Sequence, residues 1–153
     1  MHILQKPEDE KHEVSVSRLE DSDFSKITIK RYAFKWKEFK DQAELYKLTL
    51  KDDILGLMAL VIHPEEQRIQ ILLLAVSVEN KGKEKVFDRI AGTLIAFACR
   101  EALRAFDEFP CVSLIPKTDL KEHYKKKYGM FDGGRQLFLE GLPLIKLIKE
   151  YIP

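Results

Sequence analysis

"IQILLLAVSVENKGKEKVFDRIAGTLIAFACREAL", residues 69–103, is the stretch whose reading decides the fold. Its first ten residues, 69–78, are almost unbroken in apolarity, so they predict a strand covered by helices on both sides. A polar loop with Gly82 and several lysines follows. From about residue 89 to 107 the pattern turns helical. Ala91, Leu94, Ile95, Ala98, Ala102 and Phe106 recur at helical spacing, and Arg100, Glu101, Arg104 and Asp107 fall away from them. Strand, glycine-bearing loop and helix in this order offer a helix N-terminus whose free amides and dipole suit a phosphate.

Working outward, "ELYKLTL" (44–50) alternates Tyr46, Leu48 and Leu50 against Lys47 and Thr49, the signature of a half-buried strand. "KDD" turns the chain into "ILGLMALVI" (54–62), apolar on both faces, and "HPEEQR" (63–68) connects it to residue 69. Three strands on short turns predict an antiparallel meander. Downstream, "CVSLI" (111–115) is a short buried strand ended by Pro116. Thr118 or Asp119 caps a helix whose stripe is Leu120, Tyr124 and Tyr128, and Gly129 stops it. "RQLFLE" (135–140) is a strand, and Pro143 opens a last helix with Leu144, Leu147, Ile148 and Tyr151 on one side.

Upstream the signals are weaker. "VSVSRLE" (14–20) reads as an edge strand. "DSDFSKITIK" (21–30) suits either helical turns or a strand, and "RYAFKWKEFK" (31–40) a mixed strand or loop. Residues 1–12 are expected to be loose. The sum is one domain over 1–153, of α/β (α+β mixed-sheet) class: an antiparallel meander, then a strand–helix–strand crossover, with helices on both faces.

Composition narrows the function classes. The chain is 45% apolar and 33% charged with a formal net charge of +1, so it has a globular composition and no global field for nucleic acid or membrane. Two cysteines make no disulfide framework and suit a reducing, cytoplasmic setting. The charged N-terminus predicts no signal peptide, and no run reaches the ~18 apolar residues of a membrane span. His2, His12, His63 and His123 show no metal-ligand spacing.

Element order and punctuation resemble the GNAT superfamily of acyl-CoA-dependent N-acyltransferases. The family pattern is an apolar strand with a Val-x-Pro-like exit, a loop of Arg or Gln, x, x, Gly, x, Gly or Ala, and a helix with paired leucines. "LAVSVENKGK" resembles the exit and the first half of the loop, and "AGTLIAFA" its end and the helix start. "LIPKTDLKEHYKKKYGMF" resembles a later strand, a helix with a Tyr near its end and a Gly–aromatic step. The matching segments cover roughly residues 44–140. Three features depart from the pattern. "KEKVFDRIA" lengthens the loop between Gly82 and Gly92. Tyr124 lies five residues before Gly129 rather than four. A helix follows "RQLFLE" where the family adds a strand.

The resemblance implies acetyl-CoA or another acyl-CoA as co-substrate and an amine acceptor it does not identify. It implies that Lys81, Gly82, Lys83, Gly92 and Thr93 hold the diphosphate, and that the main chain of Val76, Ser77 and Val78 pairs with the pantetheine arm. Tyr124, with Tyr128 as alternate, would return a proton to the leaving thiolate. The competing readings are a solvated connection for the loop and core packing for both tyrosines. No general base stands out: Glu44, Glu79 and His123 qualify by chemistry alone, which leaves a water-mediated mechanism or a catalytically degenerate coenzyme-binding or protein-interaction module as the alternative. Tyr32, Phe34, Trp36 and Phe39 either shape the acceptor pocket or pack the core. "KEHYKKKY" is foremost a solvated lysine face, with nucleic acid or the coenzyme's ribose phosphate as the alternatives. The apolar last helix is a candidate homodimer interface.

Overall fold

The computed structural model describes residues 1–153. It opens on order where the sequence predicts looseness. β1 (His2–Gln5) and β2 (Glu10–Glu13) form an antiparallel hairpin with Ile3 opposite His12. The correction has a physical cause. Ile3 is fully buried in the main core, and β1 finds a second hydrogen-bonding partner far along the chain, in the loop that precedes the long helix.

The chain continues through β3 (Ser15–Arg18), a 3-10 turn (Asp21–Lys26), α1 (Ile29–Tyr32), a second 3-10 turn (Trp36–Phe39), β4 (Glu44–Leu50), β5 (Asp53–His63) and β6 (Arg68–Val76). Then come β7 (Phe87–Asp88), α2 (Ile90–Ala105), β8 (Cys111–Leu114), α3 (Lys121–Tyr128), β9 (Phe131–Gly133), β10 (Gln136–Glu140) and α4 (Gly141–Tyr151). One sheet has the order β3-β4-β5-β6-β8-β10-β9, and a small second sheet has the order β2-β1-β7. Within the large sheet β6 and β8 alone run parallel, joined across its face by α2, as the predicted crossover requires.

The side chains of β5 divide between two cores, and an irregularity in its pairing with β4 leaves Leu55 as an extra residue. Leu55, Met58 and Leu60 belong to the large core with Leu94, Ile95 and Leu147. Ile54, Leu57 and Ala59 face the other way, beneath Tyr32 and Trp36. These aromatics settle the weak early segment as helical turns rather than strand. Tyr32 and Trp36 are 0% and 1% exposed, and both bond into the fold: the Tyr32 hydroxyl donates to the Ile54 carbonyl at 2.6 Å and Trp36 Nε1 to the Tyr32 carbonyl at 3.1 Å. The apolar face of α4, read as a candidate dimer surface, is covered by α2 of the same chain. No helix is long and apolar enough to cross a membrane.

Asp23 anchors the early segment. Its carboxylate lies 2.7 Å from Lys47 Nζ, accepts the Glu20 amide at 2.8 Å, and its side chain is 5% exposed. Burial pushes its pKa up, but the bonds from Lys47 and Glu20 and the charges of Lys47 and Lys26 prevail and hold it below the ordinary carboxylate value. A carboxyl whose pKa falls on folding stabilises the fold above its unfolded pKa, and that contribution is lost as pH drops through the folded value. Asp23→Asn is therefore expected to cost about 1–2 kcal/mol at pH 7, discounted for the shallow position of Lys47. In urea titrations the gap from the parent should close at pH values below both carboxyl pKa values. A gap unchanged by acid would mean that the charge contributes nothing.

Candidate functional site

The site begins where two strands part. β6 and β8 pair from Arg68 opposite Cys111 to Ile71 opposite Leu114, and there the ladder stops. β6 runs on to Val76, whereas β8 gives way to Ile115 and Pro116, and proline has no N–H to continue a ladder. At the same level β6 carries a bulge: Ala59 faces Leu73 and Leu60 faces Ile71, which leaves Leu72 as the extra residue. A cleft of about 480 Å³ opens there. One wall is the unpaired edge of β6, the other is Leu114–Pro116 with Leu120, Tyr124 and Tyr128.

The long loop after β6 is built, not slack. Ser77 and Asn80 are buried. The Ser77 amide donates to the Leu55 carbonyl at 2.9 Å, Asn80 Nδ2 to Ser77 Oγ at 2.8 Å, and the Phe87 amide to Asn80 Oδ1 at 2.8 Å. Asn80 thus pinches the two ends of the loop together. β7 then pairs with β1, Leu4 opposite Asp88, and the Lys6 amide donates to the Val86 carbonyl at 2.8 Å. Val86, Phe87 and Asp88, within the stretch that separates the two glycines, are the residues the N-terminal hairpin grips. At the loop's tip Gly82 turns with φ +76°, the left-handed region that glycine adopts without strain.

Arg89 caps α2 with φ 82°, left-handed and rare for a residue with a side chain. Its guanidinium is held by groups from both ends of the chain. Nη2 donates to the Glu150 carbonyl at 3.0 Å, Nε to the His2 carbonyl at 3.3 Å, and the group lies over the Tyr151 ring at 4.6 Å. This one side chain ties β1 and α4 to the start of α2. The first bond of the α2 ladder runs from the Thr93 amide to the Arg89 carbonyl at 3.0 Å, so the amides of Ile90, Ala91 and Gly92 precede it.

Val76, Lys81, Gly82, Gly92, Tyr124 and Tyr128, all singled out from the sequence, line this one cleft. Ser77, Val78, Lys83 and Thr93 do not. Ser77 is fully buried with its amide engaged, and Val78 and Lys83 are exposed outside the cleft. Both the amide and the hydroxyl of Thr93 donate to the Arg89 carbonyl, the hydroxyl at 2.7 Å. Sequence reasoning missed the edge Leu72–Ala75 and the bulge, for which no pattern in the sequence gives a sign. Arg89 sits directly before the helical periodicity, in capping position, and that was a usable signal. Of the early aromatics, Phe34 reaches the cleft. It follows Ala33 at φ 77° and ψ −48°, a tight turn closed by the Phe34 amide on the Tyr32 carbonyl at 3.0 Å.

The electrostatics are mixed. Lys81, Lys85 and Lys127 face the cleft together with Asp88 and Asp119. Burial raises the Asp88 carboxyl, but the Arg89 amide and the charges of Lys85 and Lys127 outweigh it and keep the group ionised. Tyr124 is half-buried and its ring lies 5.8 Å from that of Tyr128. Burial pushes both phenols up, so each keeps its proton at neutral pH. Tyr128 packs deeper, 5% exposed, against Tyr151. The carboxylates considered as bases are engaged: Glu79 is gripped by Arg31, which holds its pKa down, and Glu44 accepts the Tyr46 hydroxyl at 2.9 Å. His123 lines the cleft beside Tyr124, ring to ring at 5.9 Å.

No family model and no curated protein matches the chain. Solved structures do. An acetyltransferase from Bacillus subtilis in complex with CoA superposes with a TM-score of 0.57 at 14% identity, over 84% of this chain and 98% of its own. A GNAT family acetyltransferase from Elizabethkingia anophelis with acetyl-CoA bound gives 0.60 at 13%, over 84% and 98%. A mutant of the toxin AtaT, bound to the C-terminus of the antitoxin AtaR and to acetyl-CoA, gives 0.60 at 13%, over 92% and 99%. At these identities the likeness is one of architecture: the chain has the fold of the GNAT acetyltransferases.

Proposed function

We propose that this chain is an acyl-CoA-dependent N-acyltransferase that takes acetyl-CoA into the gap between β6 and β8 and passes the acyl group to an amine. One observation carries the reading: the unpaired edge of β6, from Leu72 to Val76, and the start of α2 open onto the same cleft. A pantetheine arm has two amides, which can add to that edge as a further strand would. A diphosphate suits the loop at Lys81 and Gly82 and the free amides of Ile90, Ala91 and Gly92, with Lys85 and Lys127 adding charge. Of the main-chain partners expected on β6, Val76 keeps this role. Ser77 does not, because its amide already bonds to Leu55.

In the reaction the amine nitrogen attacks the thioester carbonyl, a C–N bond forms and the C–S bond breaks. The Tyr124 hydroxyl gives its proton to the departing thiolate, the amine's excess proton leaves to water, and the phenol is reprotonated from solvent. No covalent enzyme intermediate is required. A specific observation favours a second reading, a coenzyme-binding module without turnover: Glu44 and Glu79 are both tied up.

Thermal melting tests the common part of both readings. At a hundredfold excess of acetyl-CoA over its Kd, stabilisation is about 2.7 kcal/mol, a rise of roughly 5–10 °C for a chain of this size. No rise at millimolar acetyl-CoA would overturn both. Thiol release with an amine panel then separates transferase from silent binder.

A further inference from the structure

We infer that the acceptor is a monoamine with an apolar body, aryl or branched alkyl, and that Phe34 with Leu72 and Leu73 selects it from the face of the sheet opposite α2. The inference rests on the transferase reading of the cleft and names the substrate class which that reading leaves open.

The cleft reaches both faces of the sheet. Leu74, Val76 and Tyr124 pack with the large core, on the side of α2. Leu72 and Leu73 pack instead with the small core of Tyr32 and Trp36. Two successive residues share that side because the bulge breaks the alternation of β6 there. All of them line the same opening. The coenzyme, held at the start of α2, takes up the α2 face. An acceptor then reaches the thioester from the other face, past Leu72 and Leu73.

Phe34 is set at that entrance by a strained turn. Ala33, at φ 77° and ψ −48°, holds a conformation that is costly for a residue with a side chain and lasts only where its surroundings impose it. The restraints lie on both sides. Before it, the Tyr32 hydroxyl is tied to the Ile54 carbonyl, and Arg31 grips Glu79 and reaches Asp53 at 3.2 Å. After it, the buried Trp36 ring meets the Phe34 ring edge-on, 6.0 Å between centroids. Tyr32 and Trp36 are the aromatics that fill the small core. What the turn adds is a third ring, half-buried, at the cleft.

Charge narrows the acceptor further. Lys81, Lys85, Arg89 and Lys127 line the coenzyme's end of the cleft with Asp88. The charged groups left are Lys117 and Asp119. A polyamine or a lysine-rich segment would meet five cations and only two carboxylates. The one carboxylate outside the coenzyme's end can pair a single ammonium. The rest of the wall is apolar, with Ile115, Pro116 and Leu120 on the β8 side, and it suits an aryl or branched-alkyl body.

The test measures thiol release from acetyl-CoA by the intact chain with 2-phenylethylamine, 3-methylbutylamine, ethylamine and spermidine. In the parent, kcat/KM for the first two is expected to exceed that for ethylamine by about 10–100-fold, the effect of moving an apolar group of that size out of water. Spermidine should also fall well below them. In Phe34→Ala the preference for 2-phenylethylamine over ethylamine should shrink to about threefold or less, through KM rather than kcat, as lost uniform binding requires. The Kd for acetyl-CoA, titrated beside it, reports whether the coenzyme's end is intact. Phe34→Leu keeps an apolar side chain at the turn. It should retain the preference for 3-methylbutylamine and lose most of that for the aryl amine. Dipeptides that begin with phenylalanine and with alanine repeat the comparison for a chain terminus, and the faster series names the source of the amine. Ethylamine or spermidine matching the apolar amines in the parent would overturn the inference. A preference unchanged in both variants would overturn it too. No thiol release with any amine, while acetyl-CoA binds, would instead overturn the transferase reading beneath it.

Discussion

Tyr124→Phe is expected to lower kcat for acetyl transfer about 100-fold, the lower end of what a positioned general acid supplies, with the Kd for acetyl-CoA within about twofold of the parent. The substitution removes one hydroxyl and keeps the ring that packs on Tyr128 and His123. Burial raises the Tyr124 pKa, so the hydroxyl stays protonated through neutral pH and well into the alkaline range. Its competence as a donor should therefore put no limb into the pH–rate profile near neutrality. Tyr128→Phe is the control. Tyr128 is 5% exposed, wedged between Tyr124 and Tyr151, and its loss of a hydroxyl should leave kcat nearly unchanged. Initial rates of thiol release with the best acceptor of an amine panel, beside calorimetric Kd values, decide the matter. An unchanged rate in Tyr124→Phe, or the larger loss in Tyr128→Phe, would remove Tyr124 from the acid's role.

Gly92→Ala is expected to destabilise the fold by about 3 kcal/mol, at the upper end of overpacking costs. A Cβ there would lie 2.3 Å from two ring carbons of Tyr151 and 2.7 Å from its hydroxyl oxygen. The ring cannot easily retreat: it is 4% exposed, with the Arg89 guanidinium over one face and Tyr128 beside it. Relief would have to come from α2 and α4 moving apart. Denaturant titration of Gly92→Ala, Tyr151→Ala and the double variant should show a favourable coupling of at least about 1 kcal/mol, because the small residue at 151 makes room for the methyl group. Additive costs would show that Gly92 does not answer to Tyr151. The same result bears on the loop. Gly92 is a glycine because α4 packs against it, and its presence beside the unpaired first amides of the helix follows from where α2 begins.

Phe87 and Asp88 pair with β1, so removing residues 84–88 would cut the hairpin free, whereas Lys83 and Glu84 lie outside the pairing on the exposed tip.

Periodicity was decisive where burial is continuous. The doubly apolar runs of β5 and β6, the stripe of α2 and the helix that Gly129 stops all announce themselves, because a covered strand or an amphipathic helix must repeat its apolar residues at its own period. The cap expected from Thr118 or Asp119 does not form, since those residues lie in a 3-10 turn and α3 starts after Leu120 with no side-chain cap. The mixed sheet, its crossover and the tyrosine-bearing helix follow from those repeats. The N-terminal hairpin, the pinch by Asn80 and the left-handed Arg89 do not. The hairpin and Arg89 depend on partners far along the chain: β1 with β7, Arg89 with His2 and Glu150, Ile3 with the main core; the pinch by Asn80 is local, to Ser77 and Phe87, but follows no repeat.

The amino-acid order by itself thus determined the meander β4–β6, the helices α2, α3 and α4, and the strand–loop–helix unit that carries the chain across to β8. Only the tertiary structure decided that β6 outruns β8, that its bulge falls at the parting, and which of the chosen residues face the gap. Local preference is written into neighbouring residues, while the end of a ladder and the direction of a side chain depend on groups that meet only when distant segments fold together.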